Sequence, residues 1–145
     1  MATPHPSDPA FAEAYARAWT NDADDFVGSF AAEGTYTDVA MDATYKGHED
    51  IRRFHRFMLR FAADSVIEFG ETRSADGRLY AEWDWSGSFS GPLRLRSGRV
   101  IEPTGARFSV PGIAACAFGA DGKLVSHRDY WDLTTVLDQA AAAAM

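Results

Sequence analysis

Phe11, Tyr15, Ala18 and Trp19 recur at intervals of three or four along an otherwise polar stretch, the spacing of a helix with one buried stripe. Asp8 followed by Pro9 supplies a start for it, a capping side chain with proline at the first helical position. A second short helix is predicted over 23–30, burying Phe26, Val27 and Phe30. Residues 34–39 are rich in β-favouring types, and a loop follows through Asp42 and Gly47. Helical spacing returns at Ile51, Phe54, Met58 and Phe61, with Arg52, Arg53, Arg56 and Arg60 mostly on the other side. From Ser65 the pattern changes to strands. Residues 65–72 and 78–89 read as one hairpin turned through Ser74-Ala75-Asp76-Gly77, and 106–118 with 123–131 as a second turned at Asp121-Gly122. Gly91-Pro92 and Ser97-Gly98 mark an irregular crossing between the hairpins. Leu133, Val136 and Leu137 open a last helix that runs into an alanine-rich tail at 140–145.

Helices gathered early and an antiparallel meander late predict an α+β fold rather than βαβ winding. Strands of this length coil, and a curved sheet packed on helices leaves a cavity on its concave side. The 145 residues suit a single domain over 1–145, with a disordered tail expected at 1–8.

Composition narrows the partners. Asp and Glu number 21 against 14 Lys and Arg, a formal charge of -7. Phosphate backbones and anionic lipid surfaces are therefore repelled, and neither nucleic acid nor membrane is an expected partner. No segment is long and apolar enough to span a bilayer, and residues 1–8 lack the basic-then-apolar pattern of a leader, so a cytoplasmic location is expected. The sole cysteine, Cys116, excludes an intrachain disulfide and a cysteine-rich zinc site. Within the apolar run 113–118 it reads as a small buried hydrophobe. GxxxxGK, GxGxxG and GxSxG patterns are missing. His48 and His55 share a helix without a third ligand at metal spacing, so no metal and no cofactor is expected.

Three constellations remain. Tyr36 and Asp38 lie two apart on a strand and project to one face, where a phenol and a carboxyl can hold an oxygen and move its proton; Asp38 beginning a surface turn is the alternative. In 127–132, period two places His127, Asp129 and Trp131 on one face. Facing a cavity, Asp129 would sit in a half-apolar site that favours general acid–base work; alternatively it pairs with an arginine, such as Arg52 or Arg56. Glu82-Trp83-Asp84-Trp85 has chemically opposite faces. Tryptophans inward with solvated acids is the expected arrangement, while the reverse would offer Asp84 as a further catalytic acid. Tyr15 lies on a core stripe as a packing residue, or points its hydroxyl at a developing oxyanion.

At these residues the chain resembles the nuclear transport factor two superfamily and, within it, the SnoaL-like polyketide cyclases. The resemblance runs from residue 11 to about 139. It is carried by FAAEGTYTD at 30–38 with YKGHEDI at 45–51, PTGARF at 103–108, and DGKLV at 121–125 with RDYWDL at 128–133. It implies a cone of curved mixed or antiparallel sheet wrapped by N-terminal helices, and a homodimer. Asp38 matches the general base of ketosteroid isomerases and Tyr15 their oxyanion-binding tyrosine. Tyr36 and Asp38 also match the water-positioning pair of limonene-type epoxide hydrolases, and Asp129 the late-strand acid of those hydrolases and of the cyclases. Two departures stand out. Ala114 or Ala115 falls where the isomerases carry a protonated acid, and Glu82 with Asp84 replaces the hydrolases' Arg-x-Asp pair.

The resemblance therefore implies an enzyme of secondary metabolism that cyclises or isomerises a small polyketide- or terpenoid-like molecule. Asp38 or Asp129 would take the proton, Tyr15, Tyr36, His127 and Asp84 would assist, and Trp19, Trp83, Phe108 and Trp131 would shape the substrate site. Epoxide hydrolysis is the enzymatic alternative, and a ligand-binding or assembly module the non-enzymatic one.

Overall fold

The computed structural model describes residues 4–142. The chain runs α1 (Phe11–Asn21), α2 (Ala23–Gly28), β1 (Phe30–Asp38), β2 (Ala43–Lys46), α3 (Gly47–Phe61), β3 (Val66–Ala75) and β4 (Arg78–Ser88). It continues through β5 (Leu93–Arg94), β6 (Val100–Ile101), β7 (Arg107–Phe118), β8 (Leu124–Trp131) and α4 (Leu133–Ala142). Six strands form one sheet in the order β2-β1-β8-β7-β4-β3. Only the β1–β8 pair is parallel in this sheet. The result is the expected α+β cone: an open, curved, mainly antiparallel sheet with helices on its concave side.

The main elements follow the sequence pattern, with local corrections. Helix α1 starts at Phe11 rather than at Pro9, because Asp8 Oδ1 accepts the Ala10 N–H at 2.9 Å and closes a separate turn. Strand β1 begins at Phe30, four residues before the β-favouring run, and the loop expected after it holds the short strand β2, paired through Thr35↔Lys46 to Asp38↔Ala43. The first hairpin turns on Asp76 and Gly77 alone, at φ 53° and 75°, the left-handed values of a two-residue hairpin loop. The crossing at 91–101 carries the small β5–β6 hairpin.

Part of the expected N-terminal tail is packed: Pro6 is buried, and the His5 ring meets Phe118 edge-on at 5.3 Å between centroids. Residues 1–3 of that tail and 143–145 of the alanine-rich one lie outside the described residues; within it, Ala140 is buried.

Register shifts at Phe30/Thr35, Phe69/Thr72 and Ala117/Phe118 interrupt three strand pairs. Such irregularities bend a sheet locally and increase its twist. Alternation decides what faces inward. In β4, Leu79, Ala81, Trp83 and Trp85 are buried, whereas Tyr80, Glu82 and Asp84 are exposed. Helix α3 buries Ile51, Phe54, Met58 and Phe61 against this concave face, as its periodicity predicts. Among the described residues no helix is long and apolar enough to cross a membrane.

Candidate active site

Parallel pairing of β1 with β8 places Tyr36 beside His127 and Asp38 beside Asp129. Residues two apart on a strand share a face, so all four side chains project together into the concave side. The Tyr36 and His127 rings stack, with centroids 4.3 Å apart and planes 13° from parallel.

Three donors converge on Asp129. Oδ1 accepts from His127 Nε2 at 2.7 Å and from Trp83 Nε1 at 3.1 Å, and Oδ2 accepts from the Tyr36 hydroxyl. Trp83 belongs to β4, two strands away, and reaches across β7 because the intervening residues are small. Gly112 pairs with Trp83 and Trp131, and Ala114 pairs with Asp129. A Cβ on Gly112 would fall within the Trp83 ring. Behind the carboxylate, His127 Nδ1 and the Tyr15 hydroxyl hydrogen-bond at 2.9 Å. Burial alone pushes the His127 imidazole down. The charge and hydrogen bond of Asp129, together with Cys116 beside the ring, outweigh that effect, and the result is raised to about 10. His127 is therefore an imidazolium, and Asp129 has an ionic partner inside the core.

Asp38 is held differently. Its Oδ1 accepts from Trp131 Nε1 at 2.9 Å and from the Met41 backbone at 3.2 Å. Among the described residues no side chain donates to its Oδ2. Burial and then the neighbouring Asp129 charge push this carboxyl up to about 6, against partial opposition from its hydrogen bonds. Burial likewise raises both phenols, Tyr15 and Tyr36. Two adjacent carboxyl groups thus have opposite environments, the arrangement that separates acid and base roles.

A cavity of about 20 Å³ lies against this pair, room for about one water. Tyr36, Asp38 and Asp129 supply its polar wall. Trp19, Trp83, Trp85 and Trp131 supply indoles, and Phe54, Met58 and Ile67 close it. Of these, Trp131 is only partly buried.

The structure thus unites Asp38, Asp129, Tyr36, Trp19, Trp83 and Trp131 around one space, with His127 and Tyr15 behind Asp129. It separates others from it. Asp84 projects from the outer face of β4, so the tryptophans took the inward positions. Phe108 packs on Phe61 and Trp85, at 5.5 and 4.7 Å between centroids, outside the cavity wall. The Tyr15 hydroxyl meets His127 instead of the cavity, so the oxyanion-facing role does not fit. The partner of Asp129 is His127 rather than an arginine, and Arg52 pairs with Asp24 at 2.8 Å.

His48 and His55 each meet a separate backbone carbonyl, of Phe30 and of Trp19. Sequence reasoning missed Trp85, Phe54, Met58 and Ile67 as wall residues. Helical and alternating periodicity marked them as inward, which is the available signal, but inward residues of core and cavity wall have the same period.

With this geometry in hand, the family is decided by a match to the SnoaL-like domain over residues 11–127. The chain is a member of the SnoaL-like family. Solved structures agree on the fold. A protein with a ketosteroid isomerase-like fold from Catenulispora acidiphila, in complex with trimethylamine, is 25% identical, with a TM-score of 0.77 over 92% of this chain and 93% of that one. TsrD from Streptomyces laurentii is 24% identical, with a TM-score of 0.75 over 90% and 91%. SalBIII, an epoxide hydrolase/cyclase-like enzyme in pyran ring formation in the polyether salinomycin, is 16% identical, with a TM-score of 0.68 over 85% and 88%. No curated protein matches the chain.

Proposed function

We propose that this SnoaL-like protein is an enzyme that moves a proton on a small, largely apolar, oxygen-bearing substrate of secondary metabolism, with Asp38 as the proton carrier. The observation that supports this most is the contrast between the two carboxyl groups. Asp129 is engaged by three donors. Asp38 stands beside it in the cavity wall with a pKa of about 6, and a carboxyl with such a value exchanges protons readily near neutrality. In the ionised form Asp38 removes a proton from carbon next to a carbonyl. The C–H electron pair becomes the enolate double bond, and the carbonyl pair moves onto oxygen. The enolate carbon then attacks a second carbonyl in the same molecule, whose oxygen takes the proton held by Asp38, giving a ring with a new hydroxyl. Where a C=C bond adjoins the enolate, Asp38 instead returns the proton to the far end of the dienolate, giving the conjugated isomer.

The SnoaL-like family and the cyclase-like relative in pyran formation support cyclisation as the outcome. Substrate entry requires the wall to move, since the cavity holds about 20 Å³. Trp131, partly exposed and at the end of β8, one residue short of α4, is the wall residue best placed to swing. Pairing of two copies through the outer sheet face, where Tyr80, Ile113 and Tyr130 are exposed, belongs to the same reading.

The direct test is deuterium exchange at carbon next to the carbonyl across a panel of cyclic and acyclic ketones in D2O. The wild-type protein should accelerate exchange for some members, and Asp38→Asn should lower that rate at least about a hundredfold. Equal rates in both proteins would refute the role of Asp38.

A second reading is capture of a small methylated amine. The trimethylamine complex of the Catenulispora relative supports it, together with an aromatic wall beside a carboxyl, which suits such cations. Calorimetric titration with trimethylammonium separates the two. Cation capture predicts affinity that rises with pH through about 6 as Asp38 ionises, and no binding at pH 7.5 removes this reading.

A further inference from the structure

Two of the tryptophans that line the cavity, Trp19 and Trp85, carry buried indole N–H groups with no partner in the protein. Both residues are more than nine-tenths buried, at 4% and 3% exposure. The other two tryptophans of the wall are satisfied, Trp83 on Asp129 and Trp131 on Asp38. Buried donors in native proteins are nearly always paired, and an exception calls for an explanation. Among the described residues the exceptions are three; Ser65 Oγ lies away from the cavity, while the two indoles are neighbours with ring centroids 6.3 Å apart, and both residues border the space beside Asp38. The indole nitrogen donates only, so what completes it must be an acceptor. A cation cannot serve.

We infer that Trp19 and Trp85 are the oxygen-binding residues of the site, receiving the carbonyl oxygen of the substrate on their indole N–H groups while Asp38 faces the carbon that loses its proton. The inference rests on the proton-transfer reading above and gives it a substrate class: a compact ketone whose remaining surface is apolar. It also replaces the tyrosine expected to hold the oxyanion, since the Tyr15 hydroxyl lies behind His127, accepting from its Nδ1–H, away from the cavity, and the Tyr36 hydroxyl donates to Asp129. As the proton leaves carbon, negative charge builds on the oxygen. Fixed donors in a dry site then act more strongly on the transition state than on the ketone.

The experiment uses the full chain with 15N-labelled tryptophan. Its four indole N–H signals, one for each of the four tryptophans, are assigned by single Trp→Phe variants and followed during titration with acetone and with cyclohexanone. The Trp19 and Trp85 signals should move downfield and saturate, while that of Trp83, held on Asp129, moves less. Trp19→Phe and Trp85→Phe, which keep a ring and remove the donor, should each weaken cyclohexanone binding at least about tenfold. The assignment is overturned if neither ketone gives saturable shifts, or if cyclohexanone binds without moving either signal. It is equally overturned if the free protein shows both signals displaced upfield, as for N–H groups already resting on ring faces, or if both Phe variants bind as tightly as wild type. The two readings fail separately. Saturable indole shifts with deuterium exchange unaffected by Asp38→Asn remove the role of Asp38 alone. Exchange that needs Asp38 but is unchanged in both Phe variants removes the indole assignment alone.

Discussion

Asp38 and Asp129 occupy the same rung of the parallel β1–β8 pair, yet the protein treats them as different chemical groups. Asp129 receives His127, Trp83 and Tyr36. Asp38 receives one indole and otherwise only backbone amides, of Met41 and Ala40, and is pushed up to about 6 by burial and by the charge of its neighbour. The division of labour proposed for the site follows from that asymmetry.

It carries a stability signature. A carboxyl whose pKa is higher in the folded state than its ordinary value of 3.8 binds more protons folded than unfolded between those values, so stability falls as pH rises from about 4 to about 6. Asp38→Asn removes that loss. The variant should be more stable than wild type at pH 7, by about 3 kcal/mol, and the gain should vanish below about pH 4. Urea unfolding at both values measures it. A variant less stable than wild type at pH 7 would contradict the strained state assigned to Asp38. Inactivity combined with greater stability is the usual mark of a functional group held at a cost.

Removing Asp129 should act on Asp38 at a distance. Asp129→Asn deletes the charge that helps raise Asp38, so the acid limb of the exchange rate against pH should move below about 6. The loss of rate at pH 7.5 should be smaller than for Asp38→Asn. The same change strands a buried imidazolium, which should cost about 3 kcal/mol of stability. An acid limb that stays in place would show that Asp129 does not set the Asp38 titration.

The order of elements, the inward face of α3 and the pairing of tryptophans in β4 were legible because periods of 3.6 and 2 record burial directly. Tyr36, Asp38, His127 and Asp129 were legible as candidates because strand alternation puts each pair on one face. Their union was not, since it depends on β1 lying parallel to β8, a long-range pairing that local pattern does not encode. Nor was the partner of Asp129. An arginine from α3 was a plausible ion pair by charge count, but residue His127 sits two positions away on the same strand face. Trp83 reaches Asp129 only because Gly112 and Ala114 leave its path clear, and small residues in a strand carry no period of their own.

His127 should not titrate in the range usual for histidine. Its folded value of about 10 lies above the unfolded one of about 6.5, so its contribution to stability is complete below about 6.5 and is lost as pH rises through about 10. NMR of 15N-labelled histidine should show both ring nitrogens protonated from pH 6 to 8. A titration centred near 6.5 would remove the buried ion pair. Tyr15→Phe takes one hydrogen bond from this imidazolium without touching the cavity. It should cost about 1 kcal/mol of stability and leave the exchange rate within about tenfold of wild type, where loss of a direct oxyanion donor costs a hundredfold or more.

Gly112 offers the sharpest structural test of the Trp83 bridge. The indole lies where a Cβ on this residue would stand, so Gly112→Ala must displace either the ring or β7. Overpacking of this kind costs about 1–3 kcal/mol. The displaced ring should also surrender its hydrogen bond to Asp129, leaving Oδ1 with His127 alone. The expected outcome is a lower melting temperature together with an upfield move of the Trp83 indole signal, with the Trp131 signal unchanged. A variant that melts like wild type with the Trp83 signal in place would mean that the strand yields and the indole does not, and that the bridge to Asp129 tolerates a side chain beneath it.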